Sequence, residues 1–471
     1  MALALDIAQR VCALRYEDLP PAAIAWAKVG LLDYLGVTLA GSREPAARLA
    51  LQALGAPGVG ASAVFGTGKR LNALDAAIVN GTASHALDFD DCNNTFGGHP
   101  SVPLLPALFA LADEQGTAGR NFILAYVAGF EVETKIAMGV HFHHYTKGWH
   151  PTATLGTFGA AAACAKLMGL NEERTATAIA IAASLASGIK ANFGTMVKPL
   201  HVGHCTRNGL FAAQLARAGF TANADSVFEH KQGFFNVFNG EGTYDAARVL
   251  AHWADPFDIV QPGIAIKQYP CCGSTHSALD AMLALVRRHD LKAEQVERIE
   301  AWTHPRRLEH TNRPAPKSPL DAKFSVQYCL ARAVTDRRVM IEHFEGDAYR
   351  DAGVQRLLAR VHAAPYGSDR FPADNHFGAE VQVRTRDGAT LSGKVDQPFG
   401  RTSANPLPPE LLREKFENCS ARVLDDDAVA RLYAAVENFN ALDDVRTVTT
   451  LACAEAVRAP RGPQAASMAS R

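Results

Sequence analysis

The stretch "HPTATLGTFGAAAACAKLMGL", residues 150–170, is rich in alanine and glycine and opens with a histidine and a proline. Proline is favoured at the first position of a helix, so Pro151 predicts that a helix begins here. The small residues that follow let a second helix approach the backbone closely, which is typical of a tightly packed helical domain. His150 would lie at the helix N-terminus, where the dipole keeps an imidazole neutral and able to accept a proton. A helix cap is an equally good interpretation of His150.

The composition predicts a large globular protein with two structural units. The chain has 471 residues, which is long for one hydrophobic core, and 48% of them are apolar. Lysine and arginine number 47 against 48 aspartates and glutamates, so no overall charge attracts nucleic acid or an anionic membrane. Any recognition that depends on charge must therefore be local.

The apolar stretches are alanine-rich and interrupted by polar residues, so the sequence predicts no membrane-spanning helix. The start, "MALALDIAQRVCALRYEDLP", predicts an amphipathic helix and lacks the basic residues and cleavage site of a signal peptide. We therefore expect a cytoplasmic protein, in whose reducing environment the nine scattered cysteines would be small core residues. The adjacent Cys271 and Cys272 lack the spacing of a zinc site and no second cysteine pair supports one, so the sequence predicts no structural zinc.

A second segment, "ALDFDDCNNTFGGHPS" at residues 86–101, gathers acids, amides and a histidine between alanine- and leucine-rich stretches. Its two adjacent glycines would let the loop turn sharply and present His99. Like-charged neighbours along a loop usually face water, so we expect Asp90 and Asp91 to be solvated, with a magnesium-binding pair as the alternative. We interpret the segment as one wall of a polar site.

Several cationic or titratable side chains gather in residues 187–222, ahead of an alanine-rich helix: Lys190, Lys198, His201, His204 and Arg207. Cations near a helix start are repelled by the helix dipole and make poor caps, but they can bind an anion. We therefore expect an anion-binding pocket here rather than a solvated surface.

Around residue 265 the pattern changes from helical to mixed. The stretches "VERIEAWTH" and "AEVQVRTRDGATLSGKV" alternate like half-buried strands, and the Asp-Gly of the second predicts a hairpin turn. A mixed α and β unit is therefore predicted at residues 266–402, followed by further helices. Residues 459–471 have the composition of a disordered tail.

Several phrases together resemble the MmgE/PrpD family: "NGTASHALDFDD", "HPSVPLLPAL", "WHPTATLGTFGAAAACAKLMGL", "VKPLHVGHCTRNGL", "IKQYPCC", "KFSVQYCLA" and "NPLPPELLREKFENC". They occur in order over nearly the whole chain. The resemblance implies a mainly α protein, with a large all-α helical domain built from both chain ends, residues 1–265 and 403–458. It also implies a smaller α+β lid domain at residues 266–402, a homodimer, an active site in a cleft, and no organic cofactor or metal.

The resemblance implies a set of site residues, matched motif by motif. Four would form the catalytic side of the cleft: Asp88, His99, His150 and Lys198. Two would face them from the lid: Lys267 and Tyr328. Asp88 would orient and polarise an imidazole, although a carboxylate after a helix also suits a loop cap. Arg207 is a further candidate for binding substrate carboxylates, if its side chain points inward.

Some positions depart from the decarboxylases of this family. Those enzymes resemble this chain but carry a threonine where Cys92 stands and a histidine where Cys272 stands. His276, four residues further on, is a candidate to take over the role of that histidine. The spacing from Asp88 to His99 is also one residue longer here. We therefore expect cis-aconitate decarboxylation less than the other reactions of the family.

The residue types and the resemblance together predict an enzyme that removes a proton next to a carboxylate of a small anionic substrate. Lys198 and Lys267 would stabilise the charge that develops. His99 or His150 would take the proton, and the other histidine, or Tyr328, would protonate a leaving hydroxyl. A dehydratase for a 2-methylcitrate-like di- or tricarboxylate is our first expectation. The alternatives are an epimerase (iminodisuccinate-like), a decarboxylase (cis-aconitate-like) and a non-catalytic metabolite-binding helical dimer.

Overall fold

Two compact units make up the protein in the computed structural model. The structure describes three ranges: residues 2–55, 59–372 and 374–454. Within them, the first unit comprises residues 2–264 and 413–454, and the second comprises Ala265–Leu412. The chain therefore leaves the first unit, builds the second and then returns. The predicted tail, residues 459–471, lies outside the described residues.

The first unit is mostly helical. Its elements up to residue 264 are α1 (Leu3–Ala13), α2 (Pro21–Gly41), α3 (Pro45–Ala53), β1 (Val59–Val64), β2 (Lys69–Leu71), α4 (Ala73–His85), α5 (Leu105–Gln115), α6 (Gly119–Lys147), α7 (Pro151–Thr154), α8 (Gly156–Leu167), α9 (Glu172–Leu185), α10 (Val197–Arg217) and α11 (Ala247–Leu250).

The alanine-rich α8 forms the centre of the first unit. It packs against α6, α9 and α10, and every residue from Gly156 to Ala165 is buried. A Cβ added at Gly129 of α6 would lie 2.7 Å from the Cβ of Ala163, so the backbones of α6 and α8 meet without intervening side chains. The predicted helix start at Pro151 and the predicted close helix packing are both confirmed.

A small sheet interrupts the helices of the first unit. Strands β1 and β2 pair antiparallel, and β1 packs against α4 and α5. The expected all-α domain is therefore corrected to a helical domain with a two-stranded hairpin. The hairpin forms because "VGASAV" and "KRL" flank a glycine-containing turn, in which Gly66 and Gly68 both have positive φ.

Helix α2 is long and apolar enough to cross a membrane by length and composition alone. However, 67% of its most apolar window is buried inside the protein, where it packs against α4. Burial of this kind is typical of a core helix, because its apolar surface is already covered by protein.

The second unit combines helices with a mixed sheet. Its elements are α12 (His276–His289), β3 (Val296–Thr303), α13 (Pro305–Thr311), α14 (Pro319–Lys323), α15 (Val326–Thr335), α16 (Ala352–Leu358), β4 (Val361–Pro365), β5 (Ala379–Thr385) and β6 (Thr390–Val395). The strand order is β4-β3-β5-β6, with only β3 and β4 parallel. Helix α12 packs on β5 and β6, and also on α15, to form the core of this unit.

The chain then continues through α17 (Pro409–Ser420), α18 (Asp426–Glu437) and α19 (Arg446–Ala452). A buried ion pair joins this returning segment to the start of the chain, because Lys415 Nζ lies 2.5 Å from Asp33 Oδ1 on α2. The same ammonium donates a 2.8 Å hydrogen bond to the Phe89 carbonyl oxygen. Lys415 thereby supports the loop that carries the candidate site.

Candidate active site

The loop after α4, residues 86–101, carries a buried carboxylate between two imidazoles. Asp90 Oδ2 lies 2.8 Å from Nδ1 of His85, the last residue of α4, and 3.0 Å from Nδ1 of His99. None of the Asp90 side chain is exposed to solvent, whereas 11% of the His99 side chain is. One carboxylate therefore fixes two histidines through the same nitrogen of each ring.

The two imidazoles differ in protonation. Burial lowers the pKa of His85 to about 4, against the attraction of Asp90. Burial also acts to lower the pKa of His99, but the Asp90 carboxylate and the neighbouring Cys92 outweigh it and raise that pKa to about 10. Burial alone would raise the pKa of Asp90, but the two imidazoles hold it well below its ordinary value. His99 therefore carries the positive charge that balances Asp90, and His85 donates its Nδ1–H as a neutral ring.

The prediction that Asp90 and Asp91 face water is wrong, because both side chains are completely buried. Asp91 accepts hydrogen bonds from the backbone N–H of Ser101, at 3.3 Å, and from the Ser101 hydroxyl. Burial, together with the nearby Asp33, raises the pKa of Asp91 well above its ordinary value. The pKa values of the two adjacent acids thus shift in opposite directions: the imidazoles hold that of Asp90 low, whereas burial raises that of Asp91.

Asp88 approaches His99 from the opposite edge of the ring. Its Oδ1 lies 3.5 Å from His99 Nε2 and 3.0 Å from Lys198 Nζ, and 45% of its side chain is exposed. Its φ of 52° lies in the left-handed region, and such strain is frequent at functional sites. Cys92 Sγ is 3.7 Å from His99 Nδ1. The sequence predicts that Asp88 orients an imidazole, but the carboxylate that holds Nδ1 is Asp90, and Asp88 links His99 to the Lys198 ammonium.

The adjacent glycines shape this loop. Gly97 has a φ of 67°, and a Cβ added at Gly98 would lie 2.6 Å from Thr152 Oγ1 of α7. The same hydroxyl accepts a 3.1 Å hydrogen bond from the backbone N–H of His99. The loop therefore packs directly on the N-terminus of α7, where His150 lies.

His150 completes the cluster from α7. Its ring centre is 5.8 Å from that of His85, and its Nδ1 lies 3.3 Å from Nδ1 of His201 on α10. Burial, and then the positive charge of neighbouring groups that include Lys198, lower the pKa of His150 well below its ordinary value. Its side chain makes no capping hydrogen bond to α7. The geometry therefore favours a neutral base over a helix cap.

Helix α10 supplies Lys198 and His201 to this cluster but turns Arg207 away. Arg207 follows Lys198 by nine residues, which places the two about half a turn apart on a helix of about 3.6 residues per turn. It shares its face with Leu200 and Phe211, whose side chains are 38% and 36% exposed. Arg207 therefore lies on the opposite face of α10 from Lys198, and its charge acts on His204 of the same helix.

The second unit encloses two of the predicted site residues. Tyr328 on α15 is completely buried, and its hydroxyl donates a 2.5 Å hydrogen bond to the His343 carbonyl oxygen. His276 begins α12 and is also buried, with Nε2 lying 3.3 Å from the Cys271 carbonyl oxygen. Both side chains are thus held by partners within their own unit rather than presented to a ligand.

Cys272 and Lys267 lie near one another in the same unit. Burial raises the pKa of the Cys272 thiol, and the positive charge of Lys267 acts in the opposite direction. Both side chains are partly exposed. The thiol is therefore protonated at neutral pH and is a neutral neighbour of the lysine.

A group of first-unit residues has the chemistry of a metal site: His85, Asp88, Asp90 and His99. One ligand atom from each lies within 4.8 Å of the others. Lys198 already places its ammonium on Asp88, and both imidazoles direct Nδ1 at Asp90. A divalent cation would have to displace that ammonium, so the cluster fits acid–base chemistry better than metal binding.

Sequence reasoning missed His85 and misjudged Asp90. His85 stands at the end of an alanine-rich helix whose neighbouring residues are buried, so a polar ring there needed a buried partner. Asp90, five residues later, is that partner. The signal was a histidine on a core helix immediately before an acidic loop.

Known proteins match this chain over most of its length. Residues 5–247 match the MmgE/PrpD N-terminal domain, and residues 269–441 match the MmgE/PrpD C-terminal domain. Cis-aconitate decarboxylase of Homo sapiens is 32% identical over 412 residues, which cover 84% of this chain and 82% of the relative. Cis-aconitate decarboxylase of Aspergillus terreus is 28% identical over 462 residues, or 93% of each chain. This chain therefore belongs to the MmgE/PrpD family of enzymes.

Proposed function

We propose that this protein is a cofactor-independent lyase that removes a proton next to a carboxylate and then expels water from a small hydroxylated tri- or dicarboxylate. One observation carries the proposal: the same cluster holds a neutral imidazole, His150, and a charged imidazole, His99. Proton abstraction needs a base, and departure of a hydroxyl needs an acid. The cluster supplies both at neutral pH.

His150 is the proposed base. It is neutral because the charged form would be buried beside other positive groups. The proton of the substrate C–H bond passes to its ring, and the electron pair of that bond moves toward the adjacent carboxylate. Lys198, 3.0 Å from Asp88, offers a fixed positive charge for the anion that develops, an effect worth several kcal/mol in comparable sites.

His99 is the proposed acid. Asp90 keeps its ring protonated, and Nε2 is the nitrogen left for the substrate side, where it meets Asp88. The electron pair forms the carbon–carbon double bond, the carbon–oxygen bond breaks, and the Nε2 proton leaves with the hydroxide as water. His99 ends neutral and His150 ends charged, so the pair must exchange protons with solvent before the next turnover.

Decarboxylation is the second candidate, because curated relatives that match most of the chain are named cis-aconitate decarboxylase. That reaction breaks a carbon–carbon bond and needs an acid but no base, so it would use His99 and leave His150 without a proton to take. The departures at Cys92 and Cys272 also favour dehydration. Epimerisation, in which a proton returns to the opposite face, uses the same two histidines.

Proton NMR in heavy water separates these reactions. Purified protein is incubated with 2-methylcitrate, citrate, cis-aconitate or iminodisuccinate. We expect an olefinic product and no carbon dioxide from a hydroxylated tricarboxylate. Deuterium uptake without loss of substrate would indicate an epimerase, and carbon dioxide would indicate a decarboxylase. A protein that binds these compounds but neither exchanges nor converts them would be the metabolite-binding dimer.

We also propose that the enzyme works as a cytoplasmic homodimer. The exposed apolar side chains on one face of α10, Leu200 and Phe211 among them, support a protein partner for that helix. All nine cysteines are free thiols, which supports a reducing compartment. Light scattering on the purified chain tests the dimer, and a Phe211→Glu variant should shift it toward monomer.

A further inference from the structure

His150 and His201 meet through the same nitrogen of each ring. Their Nδ1 atoms lie 3.3 Å apart, and this is the one hydrogen bond that the His150 side chain makes to the described part of the chain. A hydrogen bond between two ring nitrogens needs a hydrogen on one and a lone pair on the other. Because Nδ1 is engaged in this way, Nε2 is the nitrogen that His150 has left for a ligand.

Gly188 holds the two rings in this relation. Its carbonyl oxygen accepts a 3.0 Å hydrogen bond from the backbone N–H of His150. A Cβ added at Gly188 would lie 3.4 Å from Cγ and 3.5 Å from Nδ1 of His201, so the backbone of Gly188 packs directly on that ring. Phe193 covers His150 edge-on, with the ring centres 4.9 Å apart. The contact between the two histidines is thus built into the packing of α7 and α10.

Both rings of the pair are neutral at neutral pH. Burial lowers the pKa of His150 well below its ordinary value, and burial also lowers the pKa of His201. The groups whose positive charge lowers the His150 pKa further are His85, Lys198, His99 and His201. The partner at His150 Nδ1 is therefore an uncharged ring.

The proposed acid is held through the same atom by a partner of different charge. Against the effect of burial, Asp90 and Cys92 raise the pKa of His99 to about 10, and Asp90 acts on Nδ1 at 3.0 Å. A carboxylate favours the charged form of an imidazole, whereas a neutral ring exchanges only a hydrogen bond with it. The partner at Nδ1 thus distinguishes His99 from His150.

We propose that His201 positions the base: its Nδ1 accepts the Nδ1–H of His150, which places the His150 lone pair on Nε2, and its lack of charge leaves His150 able to take a proton. This role rests on the proposed function, in which His150 abstracts the substrate proton. With the opposite arrangement, in which His201 donates to His150, the hydrogen would lie on His150 Nε2 and that nitrogen would have no lone pair for the substrate.

Nitrogen-15 NMR of the full chain without ligand tests the position of the hydrogen, because protonated and unprotonated ring nitrogens differ in chemical shift. At about pH 8, where both rings are neutral, we expect a protonated Nδ1 and an unprotonated Nε2 on His150. The signals are assigned by their loss in His150→Gln and His201→Asn. A hydrogen on His150 Nε2 in the wild type would overturn the proposal.

Two substitutions at residue 201 separate the hydrogen bond from the charge. Asparagine and aspartate both place an oxygen near the position of His201 Nδ1. His201→Asn keeps a neutral partner, and we expect the His150 pKa to stay below its ordinary value. His201→Asp supplies a carboxylate, as Asp90 does for His99, and should raise the His150 pKa by about 1 or more.

His204→Asp is the matched control for the added charge. His204 lies one turn further along α10, is exposed, and has its Nδ1 3.2 Å from Asn208 Nδ2. Solvent screens a charge at that position, so this variant should raise the His150 pKa by less than about 0.5. Equal effects of His201→Asp and His204→Asp would overturn the proposal.

Kinetics on a converted substrate give a second measurement. His201→Asn should keep kcat within about threefold of the wild type, and His201→Asp should lower kcat by about tenfold or more at about pH 7, with recovery at higher pH as His150 loses its proton. Equal losses in both variants, without recovery at higher pH, would show a merely structural residue and overturn the positioning role. If no candidate substrate is converted but the NMR results are as expected, the proposed reaction is refuted and the pairing of His201 with His150 stands.

Discussion

Replacing Asp90 with asparagine tests how the site keeps one histidine charged. The Asp90 carboxylate, 3.0 Å from His99 Nδ1, is the main cause that raises the pKa of that ring from 6.5 to about 10. A rise of that size corresponds to about 5 kcal/mol in favour of the charged ring, as an upper figure. Asparagine keeps the shape of the side chain and removes the charge.

Burial is the largest single influence on His99, and without the carboxylate the neighbouring Cys92 is left to oppose it, so the His99 pKa should fall from about 10 toward 6.5 or below. At about pH 8 fewer than about 5% of the rings would then be protonated, compared with nearly all in the wild type. We expect kcat to fall by about 100-fold or more, since the proposed acid for the leaving group is lost. Nitrogen-15 NMR of labelled histidines, followed over pH, measures the pKa directly, and kcat is measured on the same samples.

Asp91→Asn is the matched control. Asp91 is the next residue and is equally buried, but its pKa is raised well above its ordinary value and its carboxyl binds Ser101 rather than His99. We expect this variant to leave the His99 titration unchanged. The reasoning is refuted if His99 still titrates near 10 in Asp90→Asn, or if Asp91→Asn lowers the His99 pKa as far as Asp90→Asn does.

Further predictions concern the base, the stability of the fold and the absence of a metal requirement. His150→Gln should slow deuterium exchange at the substrate carbon by about 100-fold or more, with affinity for a tricarboxylate that has no hydroxyl group to lose retained; unchanged exchange would remove His150 from the base role. Because the folded-state pKa of His85 is depressed to about 4, the unfolding free energy should fall by up to about 3 kcal/mol as pH drops from 6.5 through 4, measured by urea unfolding. His85→Gln should flatten that part of the profile, and an equally steep profile would contradict the assignment. Lys415→Met leaves the Asp33 carboxyl buried without its cation and should cost about 3–5 kcal/mol of unfolding free energy, partly recovered by adding Asp33→Asn; a loss of less than about 1 kcal/mol would show that the pair is unimportant. Treatment with EDTA should leave turnover unchanged, because Lys198 supplies the positive charge at Asp88; loss of activity that zinc restores would instead indicate a metal site.

Helix placement was predictable where local patterns decide it. Pro151 predicts the start of a helix, and the alanines that follow predict that other helices pack closely against it. The structure has α7 and α8 at these positions. The mixed unit was predictable from alternation and the Asp-Gly turn, and that turn joins β5 to β6. Such signals lie within a few residues of each other and depend little on distant contacts.

The charge pattern of the site was predictable only in part. Lys198 was placed in an anion pocket and does meet Asp88, but the burial of Asp90 could not be read from its neighbours. Adjacent acidic side chains are normally exposed to solvent. Asp90 is buried instead because it contacts His85, and that contact forms only in the folded protein. The sequence alone could have placed Arg207 and Lys198 on opposite faces of their helix. This prediction needs only their spacing along the chain and the geometry of an α-helix.

The buried ammonium of Lys415 ties the loop of residues 86–101 to a helix encoded more than three hundred positions later. During synthesis on the ribosome, that loop is made early but its underside is completed only when Lys415 emerges. A nascent chain that stops before this point should therefore lack the full support of the candidate active-site loop. That support would thus be acquired only near the end of translation.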